Sequence, residues 1–344
     1  MNVEKRKFLL PVIAIVAIVA LVVALQQHPA EYHNDKGMIF GTYFNVTYQY
    51  EEDVEADILA VLQEVDNSLS MFNEQSVISR VNQDKEVVLD KHFLNVFSIA
   101  QYVNKETDGA FDITVAPLVN AWGFGFKNGT APSSSQVDSL RSLIGMDKLS
   151  LTSINDGNNG IKKSVEGMML DCSAVAKGYG VDVVAKLLRD KGIKNFMVEI
   201  GGEVVTSGVS SKRLPWRIGV VKPTDDTLNV DNELQTCLNV TDKAMATSGN
   251  YRNFYYKGGK KYAHTIDPKT GYPVQHNILS ATVLADDCAT ADAFATAFMV
   301  MGLERTKQVL SRHSELMAYL IYSDDNGEMQ VWYSPTMRDK IIEE

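Results

Sequence analysis

Cysteine is scarce in this 344-residue chain, which holds only Cys172, Cys237 and Cys288. Three are too few for a disulfide framework and none pairs at CxxC spacing, so a thiolate metal site and a dithiol redox motif are excluded. They are expected as small core residues. Nine Pro and 23 Gly are too sparse for a collagen-like or low-complexity chain, and 13 Phe with 14 Tyr argue against disorder. Positive charge is also in the minority, with 33 Lys and Arg against 43 Asp and Glu and a net charge of −10. Lys5, Arg6 and Lys7 with the single acid Glu4 account for the first thirty residues, leaving 30 basic against 42 acidic side chains in the body. A body that acidic repels phosphate backbones, which argues against nucleic acid as a primary partner. No short-period repeat is present.

The long apolar run is residues 8–25, uncharged and preceded by Glu4-Lys5-Arg6-Lys7. At about 1.5 Å per residue it just spans a hydrocarbon core. The basic flank stays cytoplasmic under the positive-inside rule, which puts the body outside the cytoplasm. A cleaved signal peptide is the rival reading, but no clean small-x-small site follows, and the first thirty residues lack the cysteine of a lipoprotein. The expectation is a signal anchor over residues 1–30, a short polar linker to residue 37, and one large domain over 38–344. Ala289–Met301 is apolar but too short for a second span.

Periodicity orders the body. Met38–Gln49 alternates as a half-buried strand, while Asp53–Leu69, Lys91–Glu106, Ser134–Ile144 and Ala176–Lys191 carry helical spacing with caps or terminal glycines. Strands are predicted at Phe196–Ile200, Trp216–Val221, Lys261–Thr265 and Ile278–Ala285, with a hairpin of Leu316–Tyr322 and Met329–Tyr333 around Asn326-Gly327. The elements mix without strict βαβ alternation, so the fold class is α+β.

Four segments have chemical character. Gly109–Gly125 places Asp112 before an apolar stretch and then alternates glycine with Trp122 and Phe124. This is either a flat slot for a planar ligand or a helix-to-loop junction with core aromatics. Leu170–Gly180 opens a helix with Asp171, a small-residue turn and Lys177, which suits an anion although it is neither a Walker A loop nor GxGxxG. His264 stands before the turn Asp267-Pro-Lys-Thr-Gly271, and with Arg252 it could supply a base and an oxyanion clamp, or be an inert surface histidine. Asp292 and Thr296 lie four apart on one face of the apolar helix 289–301. Two oxygen ligands on one face suit a hard cation such as Mg²⁺; the alternative is a hydrogen-bonded core aspartate.

Taken together and in order, these segments resemble the ApbE family, FAD:protein FMN transferases that attach flavin covalently to extracytoplasmic electron-transfer subunits. The resemblance covers roughly residues 38–340. It includes Phe40-Gly-Thr, Ser76, Ser79-Arg80-Val81-Asn82, GAFDITVAPLVNAWGFG, LDCSAVAKGYG, VEIGGEVVTSG, ATSGNYRN, HTIDPKTG and ADAFATAF. It implies FAD contacts at Phe40, Phe72, Ala110, Phe111, Asp112, Asp171, Lys177 and Ile266. The implied Mg²⁺ ligands are the backbone oxygen of Ala174 and the side chains of Asp292 and Thr296. Departures are Asn250, where Asp is usual, and Cys172-Ser-Ala-Val175 in place of a more glycine-rich turn. The implied reaction is attack by an acceptor threonine hydroxyl on the FMN-side phosphorus of FAD, with AMP leaving. His264, close before Ile266, is the expected general base. Implied acceptors are subunits of sodium-pumping NADH:quinone oxidoreductase or Rnf-type complexes. An Mg²⁺-dependent FAD pyrophosphatase and a non-enzymatic FAD-binding protein are the alternatives.

Overall fold

The chain enters its sheet through a tight hairpin. β1 (Tyr32–Ile39) and β2 (Thr42–Gln49) pair antiparallel across Phe40-Gly41, both of which have positive φ (52° and 74°), the backbone that two-residue hairpin turns require. Residues 32–37, expected as linker, are therefore strand, and the single strand expected from Met38 is broken at residue 40. The computed structural model describes residues 30–125, 131–154, 157–223, 233–250, 254–257 and 260–342. All but the last residue of the expected anchor, and Arg252, lie outside the described residues.

The helix α1 (Glu55–Leu69) buries Ile58, Leu62, Val65 and Leu69, the face that its sequence period marks. The short α2 (Val77–Asn82) starts at Ser76, whose side chain accepts from Ser79 N. α3 (Lys91–Glu106) keeps the expected bounds and is capped by Asp90. α4 (Ala116–Ala121) and α5 (Ser134–Arg141) follow, the latter behind a reciprocal Ser133/Gln136 capping box and three residues shorter than expected. β3 (Leu149–Ile154) and β4 (Asn158–Lys163) form a separate hairpin. α6 runs over Ser173–Asp190 and is followed by β5 (Phe196–Ile200) and β6 (Glu203–Ser207), joined through Gly201-Gly202. Then come β7 (Arg217–Val221), β8 (Leu234–Asn239), β9 (Ala244–Gly249), the pair β10 (Phe254–Lys257) and β11 (Lys260–Ala263), and β12 (Ile278–Ala285). α7 (Cys288–Leu310) is broken at Gly302, and β13 (Met317–Ser323), β14 (Met329–Tyr333) and β15 (Ile341–Ile342) close the described chain.

The main sheet has the order β1-β2-β5-β6-β9-β12-β13-β14 and is antiparallel throughout. Alternation along its strands divides two cores. Ala281, Val283 and Ala285 of β12 face the helices, with Phe294 and Phe298 of α7, whereas Leu284 faces Val220 and Leu238 of the small sheet β15-β8-β7. The class is α+β, as expected. Among the described residues no helix is long and apolar enough to cross a membrane. Cys172 and Cys288 are buried as expected, while Cys237 is half-exposed.

The two central helices touch at glycine. A Cβ on Gly178 would stand 2.4 Å from the carbonyl oxygen of Cys288, backbone that cannot swing aside. Gly178→Ala is therefore expected to lower stability by about 1–3 kcal/mol. The measurement is the urea midpoint at constant m-value; an unchanged midpoint would show that the helices separate at no cost.

Candidate active site

The first turn of α6 is positioned by side chains distant in sequence. Asn82 clamps Leu170 from both sides, donating Nδ2–H to its carbonyl (2.9 Å) and accepting its N–H (2.7 Å). Asp171 donates its N–H to the carbonyl of Ile113 (2.7 Å), and its carboxylate accepts from Ser173 N (2.7 Å). One turn later Lys177 Nζ lies 3.3 Å from Glu203 Oε1 and 3.8 Å from Asp292 Oδ2. Glu203 and Asp292 are only 3% and 2% exposed, so two buried carboxylates share one ammonium. Asp292 Oδ2 also accepts from Gly178 N (3.1 Å), the amide whose helical acceptor is the carbonyl of Ala174. Thr296, one turn on, shares a hydrogen bond with Ser248 Oγ of β9 (3.0 Å).

Burial pushes Glu203 up to about 8 with Lys177 pulling against it, and burial likewise raises Asp292 against Lys177 and the Gly178 amide. Burial also opposes the charge on Lys177, but Asp292 and Glu203 outweigh it and hold the ammonium protonated. Among the described residues Glu203 Oε2 is buried with no hydrogen-bond partner. The cluster is therefore short of positive charge and has an oxygen to spare. Among the described residues no three His, Cys, Asp or Glu side chains gather to hold a metal ion, so any cation here would take other oxygens as well. Carboxylate, hydroxyl and backbone oxygen are what a hard cation takes, so the residues present fit Mg²⁺.

This cluster forms one wall of a cavity of about 550 Å³. Ala110, Phe111, Asp112, Asp171, Ala174 and Lys177 line it, as do His264, Ile266, Asp292 and Thr296. The structure thus brings ten expected site residues to one place. Two stand apart from the lining: Phe40, in the β1–β2 turn, packs its ring over Gly180 of α6, and Phe72 is 77% exposed. Asp112 is already engaged, accepting from Thr114 N and Oγ1 (2.8 and 2.6 Å) and from Met146 N (3.2 Å), and its burial raises its carboxyl above the ordinary range. The aromatics of 109–125 divide between the two readings. Phe124 lines the cavity, whereas Trp122 is buried, donates to Gly271 O (2.8 Å) and stacks on Tyr262.

His264 meets Phe124 edge-on, with centroids 6.4 Å apart. The turn after it closes on itself, since Gly271 N donates to Asp267 O and Lys269 N to Asp267 Oδ1, both 2.8 Å. Asn250 accepts from Thr265 Oγ1 (2.7 Å) and so ties the His264 segment to the end of β9 without a charge. Glu203, Asn82 and Asp182 were assigned no role from sequence. Only Glu203 had a local signal, an acid opening the apolar strand Val204–Val205.

The matching stretch extends well past these motifs. The ApbE family model aligns with residues 40–321. This chain belongs to the ApbE family. Its relatives include the FAD:protein FMN transferase of Vibrio cholerae, 36% identical over 316 residues that cover 89% of this chain and 92% of that one. Another is the FAD:protein FMN transferase of Haemophilus influenzae, 34% identical over 335 residues, or 94% and 95% of the two chains. Among solved structures, the flavin transferase ApbE from Vibrio cholerae superposes with a TM-score of 0.79 at 34% identity, covering 91% of this chain and all of that one. The apo flavinyl transferase ApbE of Pseudomonas stutzeri gives a TM-score of 0.80 at 27% identity over 92% of this chain and 98% of that one. The mixed sheet-and-helix domain is thus an ApbE domain.

Within this ApbE domain Asp182 joins the two central helices, accepting the N–H groups of Cys288 and Ala289 (2.8 Å each) at the start of α7. Burial raises it from 3.8 to about 7 despite those donors. The native state then keeps a proton that the unfolded chain has lost, so this stabilisation is full below the unfolded value and fades as pH rises through the folded one. Wild-type stability should fall relative to Asp182→Asn by about 1.4 kcal/mol per pH unit over that window. Chemical denaturation of both proteins from pH 4 to 7 checks this; a constant difference would mean that the carboxylate is ionised throughout.

Proposed function

We propose that this chain transfers FMN from FAD to a threonine hydroxyl of an acceptor protein and releases AMP. The observation that carries this reading is one cavity lined both by the apolar and aromatic Phe124 and Ile266 and by the Lys177–Glu203–Asp292 cluster, in an ApbE-family chain. An isoalloxazine ring suits the first surface and a pyrophosphate the second. Asp292, Thr296 and the Ala174 carbonyl would hold Mg²⁺, which when bound neutralises charge on the pyrophosphate. Lys177 holds phosphate oxygens. His264 takes the proton of the attacking hydroxyl. The new P–O bond forms to the threonine oxygen, the bridging P–O bond breaks, and the bridging oxygen leaves with AMP.

Incubation with FAD, Mg²⁺ and the flavin-bearing subunit of a sodium-pumping NADH:quinone oxidoreductase or Rnf-type complex should add the mass of FMN to one threonine. Free FMN and AMP with no adduct would support a hydrolase instead. Residues 8–25 beside Lys5-Arg6-Lys7 anchor the domain to the cytoplasmic membrane on its extracytoplasmic side, within reach of such subunits. Full-length protein should therefore resist extraction from membranes by salt and alkali. A soluble mature form starting near residue 26 would show that the segment is cleaved.

A further inference from the structure

Transfer to a protein requires that a polypeptide reach the cavity, and the small sheet offers it a backbone to pair with. β7 is the outer strand of β15-β8-β7. Val240 N donates to Trp216 O (3.1 Å) and Lys222 N to Glu233 O (2.9 Å), with Ile218 opposite Leu238 and Val220 opposite Thr236. In an antiparallel ladder the hydrogen-bonding residues alternate. The even positions therefore serve β8, and the N–H and C=O of Arg217 and Gly219 point to the open side. Among the described residues nothing bonds to them there. Edge strands usually carry some protection against pairing. This edge lies at the cavity, because Ile218, Gly219 and Val221 line it, and Gly219 can present only backbone atoms.

We propose that the threonine-bearing segment of the acceptor docks in extended form along the open edge of β7, as an added strand that carries its hydroxyl into the cavity. The proposal rests on the transferase reading above. Main-chain pairing supplies affinity largely independent of sequence.

The test uses Arg217, which is exposed and outside the cavity lining. Arg217→Pro deletes the outward N–H and leaves the β8 ladder intact, since proline is tolerated at a strand edge. Arg217→Ala removes the side chain and keeps the N–H. Arg217→Pro should raise the acceptor KM about fivefold or more, the worth of one backbone hydrogen bond. FAD binding, read by flavin fluorescence, and the Arg217→Ala KM should stay at wild-type values. A wild-type KM in Arg217→Pro, or equal effects of Pro and Ala, would overturn the docking. As a second measurement, short synthetic acceptor peptides with single N-methyl amides are offered to the wild-type enzyme. Transfer should be sensitive at alternate positions flanking the threonine, and indifference at every position would overturn the proposal. Absence of wild-type transfer to the unmodified acceptor would instead overturn the transferase reading beneath it.

Discussion

Asp292→Ala should abolish FMN transfer while the chain stays folded. The carboxylate is buried beside Lys177 and on the same helical face as Thr296, so its loss removes the one anionic cation ligand proposed at the pyrophosphate. A bound cation contributes several kcal/mol of charge stabilisation, which corresponds to a rate loss of about a thousandfold or more. Folding survives because the buried charge is itself costly. What the variant loses structurally is one acceptor for Gly178 N, worth about 1–3 kcal/mol, and one of the two carboxylates beside Lys177, which keeps Glu203. Thr296→Val should be milder, since it deletes a neutral ligand and the bond to Ser248. The measurements are AMP release with and without chelator, alongside circular dichroism. Full turnover by Asp292→Ala in chelator would remove the carboxylate from any metal role.

The second large effect is at His264. If its imidazole takes the threonine proton, His264→Asn should slow transfer by about 10²–10⁴-fold with FAD affinity unchanged. Wild-type transfer should also decline on acidification as the imidazole gains a proton and can no longer accept one. The variant's residual rate should lack that decline. Weakened FAD binding with an unaltered pH profile would instead make His264 a wall of the flavin site and put the base elsewhere.

Where local chemistry decides an element, the sequence was a sound guide. α3 has a capping aspartate and, His92 apart, an apolar residue at each buried position, and its bounds are those expected. β5 and β12 are short and apolar enough to be strand and little else. β1 escaped because its residues are polar and half-exposed at the end of the sheet, a pattern shared with linkers. β9 escaped because Thr247 and Ser248 interrupt its apolar run to bond Thr282 of β12 and Thr296 of α7. The same limit applies at the site. Asp292 and Thr296 betrayed themselves by helical spacing, but Asn82 on Leu170 and Asp182 on α7 act across long sequence separations that no local pattern encodes. Glu203 was assigned no role from sequence, because only the fold sets it beside Lys177.

The glycine where α6 meets α7 has a consequence for how this enzyme can change. Gly178 sets the distance between the helices through what it lacks, and its amide fixes the orientation of Asp292. Interhelical spacing and ligand placement are therefore one mechanical variable. An engineer who repacks this interface for heat resistance reorients the Asp292 carboxylate at the same time. Selections for stability and for activity should thus converge on compensating pairs across the two helices, and seldom on single independent gains.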